Sequence, residues 1–286
     1  MNAMLTGAQI RLLSPGEARD AIRAGRWRGT TAGLAEGYVQ ANLVILPEAD
    51  AADFAEFCRL NPKPCPVIDV TAPGSPGPTE AAPDADLRTD LPRYRVYRGG
   101  ELVDEPFDIS TYWREDLVAI LLGCSFTFEH GLLAAGIPMR HIEAGTIVPM
   151  WRTNRQCAPA GRFHGPLVVS MRPIPADQVA LATEVSGRYP QVHGAPVHAG
   201  DPAELGIDDL AAPHWGDPPV MEPGDVPVFW ACGVTPQAVA LESKRELMIT
   251  HAPGHMFITD LPLAGIAESS QALGTLRDSH ASKELA

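Results

Sequence analysis

The reactive side chains of this chain fall in a few short polar stretches. In Gly123-Cys124-Ser125-Phe126-Thr127-Phe128-Glu129-His130, Ser125 and Glu129 stand four residues apart and share one face if the segment is helical. Cys124 at the start of such a helix would have its thiol shifted toward the thiolate, which makes it a candidate nucleophile. Arg140-His141-Ile142-Glu143 sets an imidazole and a carboxylate two residues apart. On a strand both point to one face, and together they form a usable acid/base pair. The candidate catalytic residues are therefore Glu143, His141, Glu129 and Cys124.

Other stretches suit the binding of a small anion. Arg152 and Asn154 flank Thr153 after Trp151, and Arg172 stands between Met171 and Pro173. A guanidinium holds a carboxylate through two parallel hydrogen bonds. Cys232-Gly233-Val234-Thr235-Pro236 reads as a strand end, then Thr235 as helix cap with proline behind it. The N–H groups from Gly233 to Thr235 would face an anion there. Ser125 adds a hydroxyl.

His251 and His255 flank Ala252-Pro253-Gly254. That proline and glycine forbid the helical H-x-x-x-H face of zinc proteases. A turn can still bring both rings together, as substrate contacts or as ligands of a metal-dependent lyase. His193, His198 and Asp201 are further ligand candidates, although Asp201-Pro202-Ala203-Glu204 reads as a helix cap. No metal is assigned. The phosphate loop G-x-x-x-x-G-K-[ST], the dinucleotide fingerprint G-x-G-x-x-G and the esterase elbow G-x-S-x-G are all absent. No cofactor is expected.

These residues need elements to position them. Ser14-Pro15-Gly16-Glu17 opens a helix that Gly25 ends. Strands are expected at 43–46, 66–70, 93–98, 167–171, 227–232 and 256–258, with a hairpin turning at Gly99-Gly100. Helices are expected at 50–60, 176–189 and after Thr235. Residues 115–135 carry the strongest helical signal, divided by Gly123 and Ser125. Residues 71–86, rich in Pro, Ala and Gly, read as a surface loop. No internal repeat is visible.

Strands alternating with helices predict an α/β fold with a mixed, mostly parallel sheet flanked by helices and a smaller α+β subdomain. The expected partition is residues 1–110 with 195–264, a smaller unit at 111–194, and a polar tail at 265–286. Proline is abundant, with 28 residues, yet hydrophobic residues make up 45% and charged ones 20%. The prolines must then punctuate a folded core rather than mark disorder. A net charge of −13 argues against nucleic acid or an anionic membrane as partner. No apolar run reaches the roughly 20 residues that span a bilayer. Five cysteines without a C-x-x-C pair, and no secretory leader pattern, suit a reducing cytoplasm. The partner expected is a small-molecule carboxylate substrate. A homo-oligomer is compatible with the sequence.

Ordered motifs then resemble one family. They include 23–42 ending G-Y-V-Q-A-N, N-P-K-P-C-P-V-I-D-V at 61–70, D-L-R-T-D-L-P-R-Y-R-V-Y at 86–97 and L-L-G-C-S-F-T-F-E at 121–129. They continue with R-H-I-E at 140–143, V-P-M-W-R-T-N at 148–154, G-P-L-V-V-S-M-R-P-I-P at 165–175, V-H-G-A-P-V-H at 192–198, V-F-W-A-C-G-V-T-P-Q at 228–237 and T-H-A-P-G-H-M-F-I-T-D at 250–260. The chain thus resembles the D-glutamate cyclase family of hydro-lyases over about residues 10–262. The resemblance implies a compact, cytosolic, bacterial α/β protein. The activity attached to the family is loss of water from D-glutamate to give 5-oxo-D-proline, in eukaryotic relatives that carry an additional domain. In such a reaction Glu143 and His141 would move protons, Arg152 or Arg172 would hold the α-carboxylate, and the N–H groups near Gly233 would hold the other. Two alternatives stand beside this: a non-catalytic binder of small carboxylic acids, and a metal-dependent lyase using His251 and His255.

Overall fold

The structure is a computed structural model that describes residues 3–263. The polar tail expected at 265–286 lies outside the described residues.

Two N-terminal helices come first, α1 (Gly7–Ile10) and α2 (Pro15–Arg23). Both carry capping boxes, Thr6 with Gln9 and Ser14 with Glu17. Strand β1 (Tyr38–Pro47) leads into α3 (Glu48–Leu60), followed by β2 (Val67–Val70), β3 (Tyr94–Arg98) and β4 (Glu101–Asp104). Next come β5 (Leu117–Gly123), α4 (Phe126–Ala134), α5 (Arg140–Ala144), β6 (Met150–Gln156), β7 (Pro166–Pro175) and α6 (Val179–Gly187). The last elements are β8 (His198–Ala199), β9 (Asp225–Ala231), α7 (Thr235–Ser243), β10 (Met248–His251) and β11 (Phe257–Pro262). Among the described residues no helix is long and apolar enough to cross a membrane.

The described strands form two sheets. The first runs β2-β5-β1-β10-β3-β4 with β11 also on β1, and the second runs β6-β7-β9-β8. Every described strand pair is antiparallel. The α/β class holds, but the expected mostly parallel sheet is corrected. The physical reason is an insertion. β1 and β2, joined through α3, do run the same way, as a crossover unit should. They are not neighbours, because β5 lies antiparallel between them.

That same β5 corrects the helix expected at 115–135. Its seven residues are all buried. Leu117, Ala119 and Leu121 feed one apolar cluster, and Val118, Ile120 and Leu122 feed another. A strand buried on both faces reads as an unbroken apolar run, which periodicity alone cannot tell from a helix. Only 126–134 of that segment is helical.

Two strand pairs continue into helices by the same turn, a repeat that the sequence reading does not show. Ala41 pairs with Gly123 as Val169 pairs with Ala231. One residue past each partner comes a cysteine, Cys124 or Cys232. Its sulfur accepts the backbone N–H two residues on, from Phe126 or Val234. Three residues past each cysteine comes a threonine. Thr127 Oγ1 accepts the Gln40 N–H at 3.3 Å, and Thr235 Oγ1 accepts the Val168 N–H at 3.1 Å. The helices are then exchanged. Phe128 and Leu132 of α4 join Ile174, Val228 and Trp230 of the second sheet. Val239 and Ala240 of α7 join Val44, Val118 and Ile120 of the first. Thr235 lies inside the helix, with Val234 as its cap.

Both threonines are fully buried. Thr127→Val and Thr235→Val, which keep the shape but orphan one backbone N–H each, are expected to cost about 1–3 kcal/mol apiece in urea unfolding, whereas Thr→Ser at either position stays close to the parent protein.

Candidate active site

Arg172 of β7 is completely buried between the rings of Phe128 and Trp230, at 5.3 and 5.6 Å. Each of its three guanidinium nitrogens donates to a side-chain oxygen. Nε donates to Glu129 Oε1 at 2.9 Å, Nη1 to Ser170 Oγ at 2.6 Å and Nη2 to Ser125 Oγ at 2.9 Å. Nη2 also donates to Glu129 Oε1. The spacing of Ser125 and Glu129 across one turn of α4 lets both receive the same guanidinium.

His141 meets the same carboxylate from the other side. Its Nε2 stands 3.3 Å from Glu129 Oε1, and the ring is buried. Neither ring nitrogen has a well-directed hydrogen bond among the described residues. Burial pushes the Glu129 carboxyl upward, but the charge of Arg172, then His141, outweighs it and brings the group down to about 2. Glu129 is thus a permanent anion pinned between a cation and an imidazole.

Two clefts open beside this trio. One, of about 130 Å³, is lined by His141, Thr30, Trp27 and Gly145 among others; the second, of about 210 Å³, is lined by Glu129, His130, Phe126 and Glu36. Arg11 and Ile142 line both.

Known proteins are similar to this chain. A family profile described as D-glutamate cyclase matches residues 118–260. A curated relative from Stutzerimonas stutzeri, named "Putative hydro-lyase", is 62% identical over 87% of this chain and 94% of its own. A second with that name, from Rubrobacter xylanophilus, is 63% identical over 85% of this chain and 94% of its own. A third, from Geobacillus kaustophilus, is 60% identical over 87% and 95%. The chain belongs to the D-glutamate cyclase family. The matched segment of this hydro-lyase family contains Glu129, His141 and Arg172.

Within this family member, the residues singled out in the sequence are separated by the fold. Residues 140–144 form a helix, not a strand. His141 therefore turns inward while Glu143 is exposed, and the carboxylate beside His141 is Glu129. Cys124 is buried, which pushes its thiol up to about 12; burial raises Cys232 as well. Neither thiol is placed as a thiolate. Arg152 of β6 stacks on Trp215 at 5.2 Å. Asn154 is exposed and donates weakly to the Glu204 carbonyl at 3.5 Å. Neither lines either of these two clefts. Gly233 packs on Asn42: a Cβ there would lie 1.9 Å from Asn42 Nδ2. That amide donates to the Gly123 carbonyl at 2.6 Å.

His251 lies in β10, where Nδ1 accepts the Leu43 N–H at 3.2 Å, and burial takes it down to about 3. His255 Nδ1 donates to the Pro253 carbonyl at 2.8 Å, and burial lowers it too. Among the described residues no group of three or more His, Cys, Asp or Glu could hold a metal ion. Asp201 caps the turn after it, accepting from the Ala203 N–H at 3.0 Å. Arg11, Thr30 and Asn42 carry no chemical signature in the sequence, although the last two fall within the 23–42 motif; each reaches its place through contacts more than 80 residues away in the chain or through a cleft formed only on folding.

Because the folded-state value of Glu129 is depressed, its stabilisation is present above the ordinary value of 4.5 and is lost as pH falls toward about 2. The expected loss over that window is about 3 kcal/mol by urea unfolding. Glu129→Gln is expected to abolish this acid limb and to cost about 3–5 kcal/mol at neutral pH, since Arg172 is left as an unpaired buried charge.

Proposed function

We propose that this protein is a hydro-lyase acting on a small amino or hydroxy carboxylic acid, with His141 as the proton carrier and dehydrative cyclisation of D-glutamate to 5-oxo-D-proline as the reaction class. The observation that carries the reading is the sharing of one ionised carboxylate by a buried arginine and an under-bonded histidine, at the wall of two small clefts.

Cyclisation needs a neutral amine to attack a carboxyl carbon. His141 takes a proton from the substrate ammonium; Glu129 offsets the charge the ring then carries. The C–N bond forms, a carboxyl C–O bond breaks, and the two protons given up by nitrogen end in the departing water. His141 returns its proton to that oxygen. Arg172 is fully buried, out of reach of substrate, so its part is to hold Glu129 ionised and in place. Clefts of this size suit a metabolite of a few carbons, since drug-sized ligands occupy about 300–1,000 Å³. Five free, buried cysteines suit the reducing cytoplasm.

The test is an NMR assay of D-glutamate, L-glutamate and a panel of hydroxy acids for loss of water. His141→Asn is expected to lower turnover about 10²- to 10⁴-fold with the fold retained, and Glu143→Gln to leave it near the parent rate. A wild-type protein that binds these acids but converts none would be a non-catalytic binder, and the lyase reading would fall.

A further inference from the structure

The trio at the core leaves one requirement unmet. A carboxylate substrate needs a cation of its own, and Arg172 is fully buried, with each guanidinium nitrogen already engaged by Glu129, Ser125 or Ser170. We propose that Arg11 is the specificity-determining residue that holds the non-reacting carboxylate of the substrate at the junction of the two clefts. This rests on the reading of the site given above.

Arg11 is the cationic residue common to both cleft linings, so it bridges the His141 side and the Glu129 side. Among the described residues its guanidinium makes no hydrogen bond and no ion pair. Its neighbours differ: Arg19 is locked to Asp260 at 2.9 Å and Arg23 to Asp90 at 2.6 Å. The position is nonetheless built. Arg11 closes α1, whose start is fixed by the Thr6–Gln9 box. The preceding Ile10 is fully buried in a cluster with Ala18, Ile22, Leu34 and Ile258. Gly33, at φ +71°, leaves room for the side chain to lie across it; a Cβ there would stand 3.7 Å from Arg11 Nε.

The chemistry follows from the fork of the guanidinium, which binds a carboxylate by two parallel charge-assisted hydrogen bonds. A dicarboxylic amino acid fits the arrangement, with one carboxylate on Arg11 and the other, with the amine, presented to His141. A monocarboxylic acid would have to give up either the anchor or the reacting group.

The experiment measures binding and turnover separately. In a His141→Asn background, calorimetry with D-glutamate and with its α-carboxamide reads binding free of conversion. Arg11→Ala is expected to weaken D-glutamate about 10- to 100-fold, as loss of a charged hydrogen-bond pair should. It should leave the α-carboxamide unaffected, and Arg11→Lys should restore part of the affinity. With His141 intact, KM should rise while kcat changes little. Conversion by the wild type with an unchanged KM in Arg11→Ala overturns the role of Arg11 and spares the lyase reading. Failure of the wild type to bind or convert any acid overturns both.

Discussion

A guanidinium with no exposed surface, standing between two aromatic rings, is the constraint around which the rest of the site is built. An arginine stays charged at any relevant pH, so burying it demands an anion and further acceptors at fixed positions. Those acceptors come from two places. Ser170 lies on the same strand as Arg172, but Ser125 and Glu129 belong to the turn and helix that leave the other sheet. The ion pair therefore holds α4 against the second sheet. A slip of α4 by one residue would rotate Glu129 away and strand the charge.

The same arrangement sets the electrostatics of the candidate site. One Glu129 oxygen faces both Arg172 and His141. A carboxylate kept ionised by an arginine is too weak a base to act alone, but it orients an imidazole and compensates the charge gained when the ring takes a proton. The two nearby cysteines are held as thiols by burial. Burial thus argues against sulfur nucleophilicity, and the proposed chemistry runs its proton through histidine instead.

The exchanged helices explain why small residues recur at the turns. Gly123 and Gly233 sit where one unit meets the other: a Cβ on Gly123 would lie 2.0 Å from the Gln191 carbonyl, and one on Gly233 would strike Asn42. The corresponding turn residue in the first unit is Ser125, whose hydroxyl instead accepts Arg172. One backbone pattern thus serves for close packing on one side and for charge on the other. Only Cys and Thr are identical between C-S-F-T-F-E and C-G-V-T-P-Q, which is why the repeat is legible in hydrogen bonds and hidden in letters.

Local chemistry was readable from the chain itself: the capping box at Ser14, the hairpin at Gly99-Gly100, the cap at Asp201, and the pairing of Ser125 with Glu129 on one helical face. The stretch 71–86 is a loop as expected, but not a surface one, since Ala81, Ala82 and Ala85 are buried in the core. Family membership was readable too, since motifs in order are a property of sequence. Strand direction was not, because a residue's pleat does not say which strand lies beside it, and β5 enters between β1 and β2 from some 50 residues downstream. The partner of His141 was equally hidden. Spacing pointed to Glu143, two residues away; the helix at 140–144 turned that carboxylate to solvent and left Glu129 in its place. Sequence by itself determined which groups this protein carries and most of its local turns. Tertiary structure alone decided which groups share a charge, because a buried arginine selects its partners by position in space.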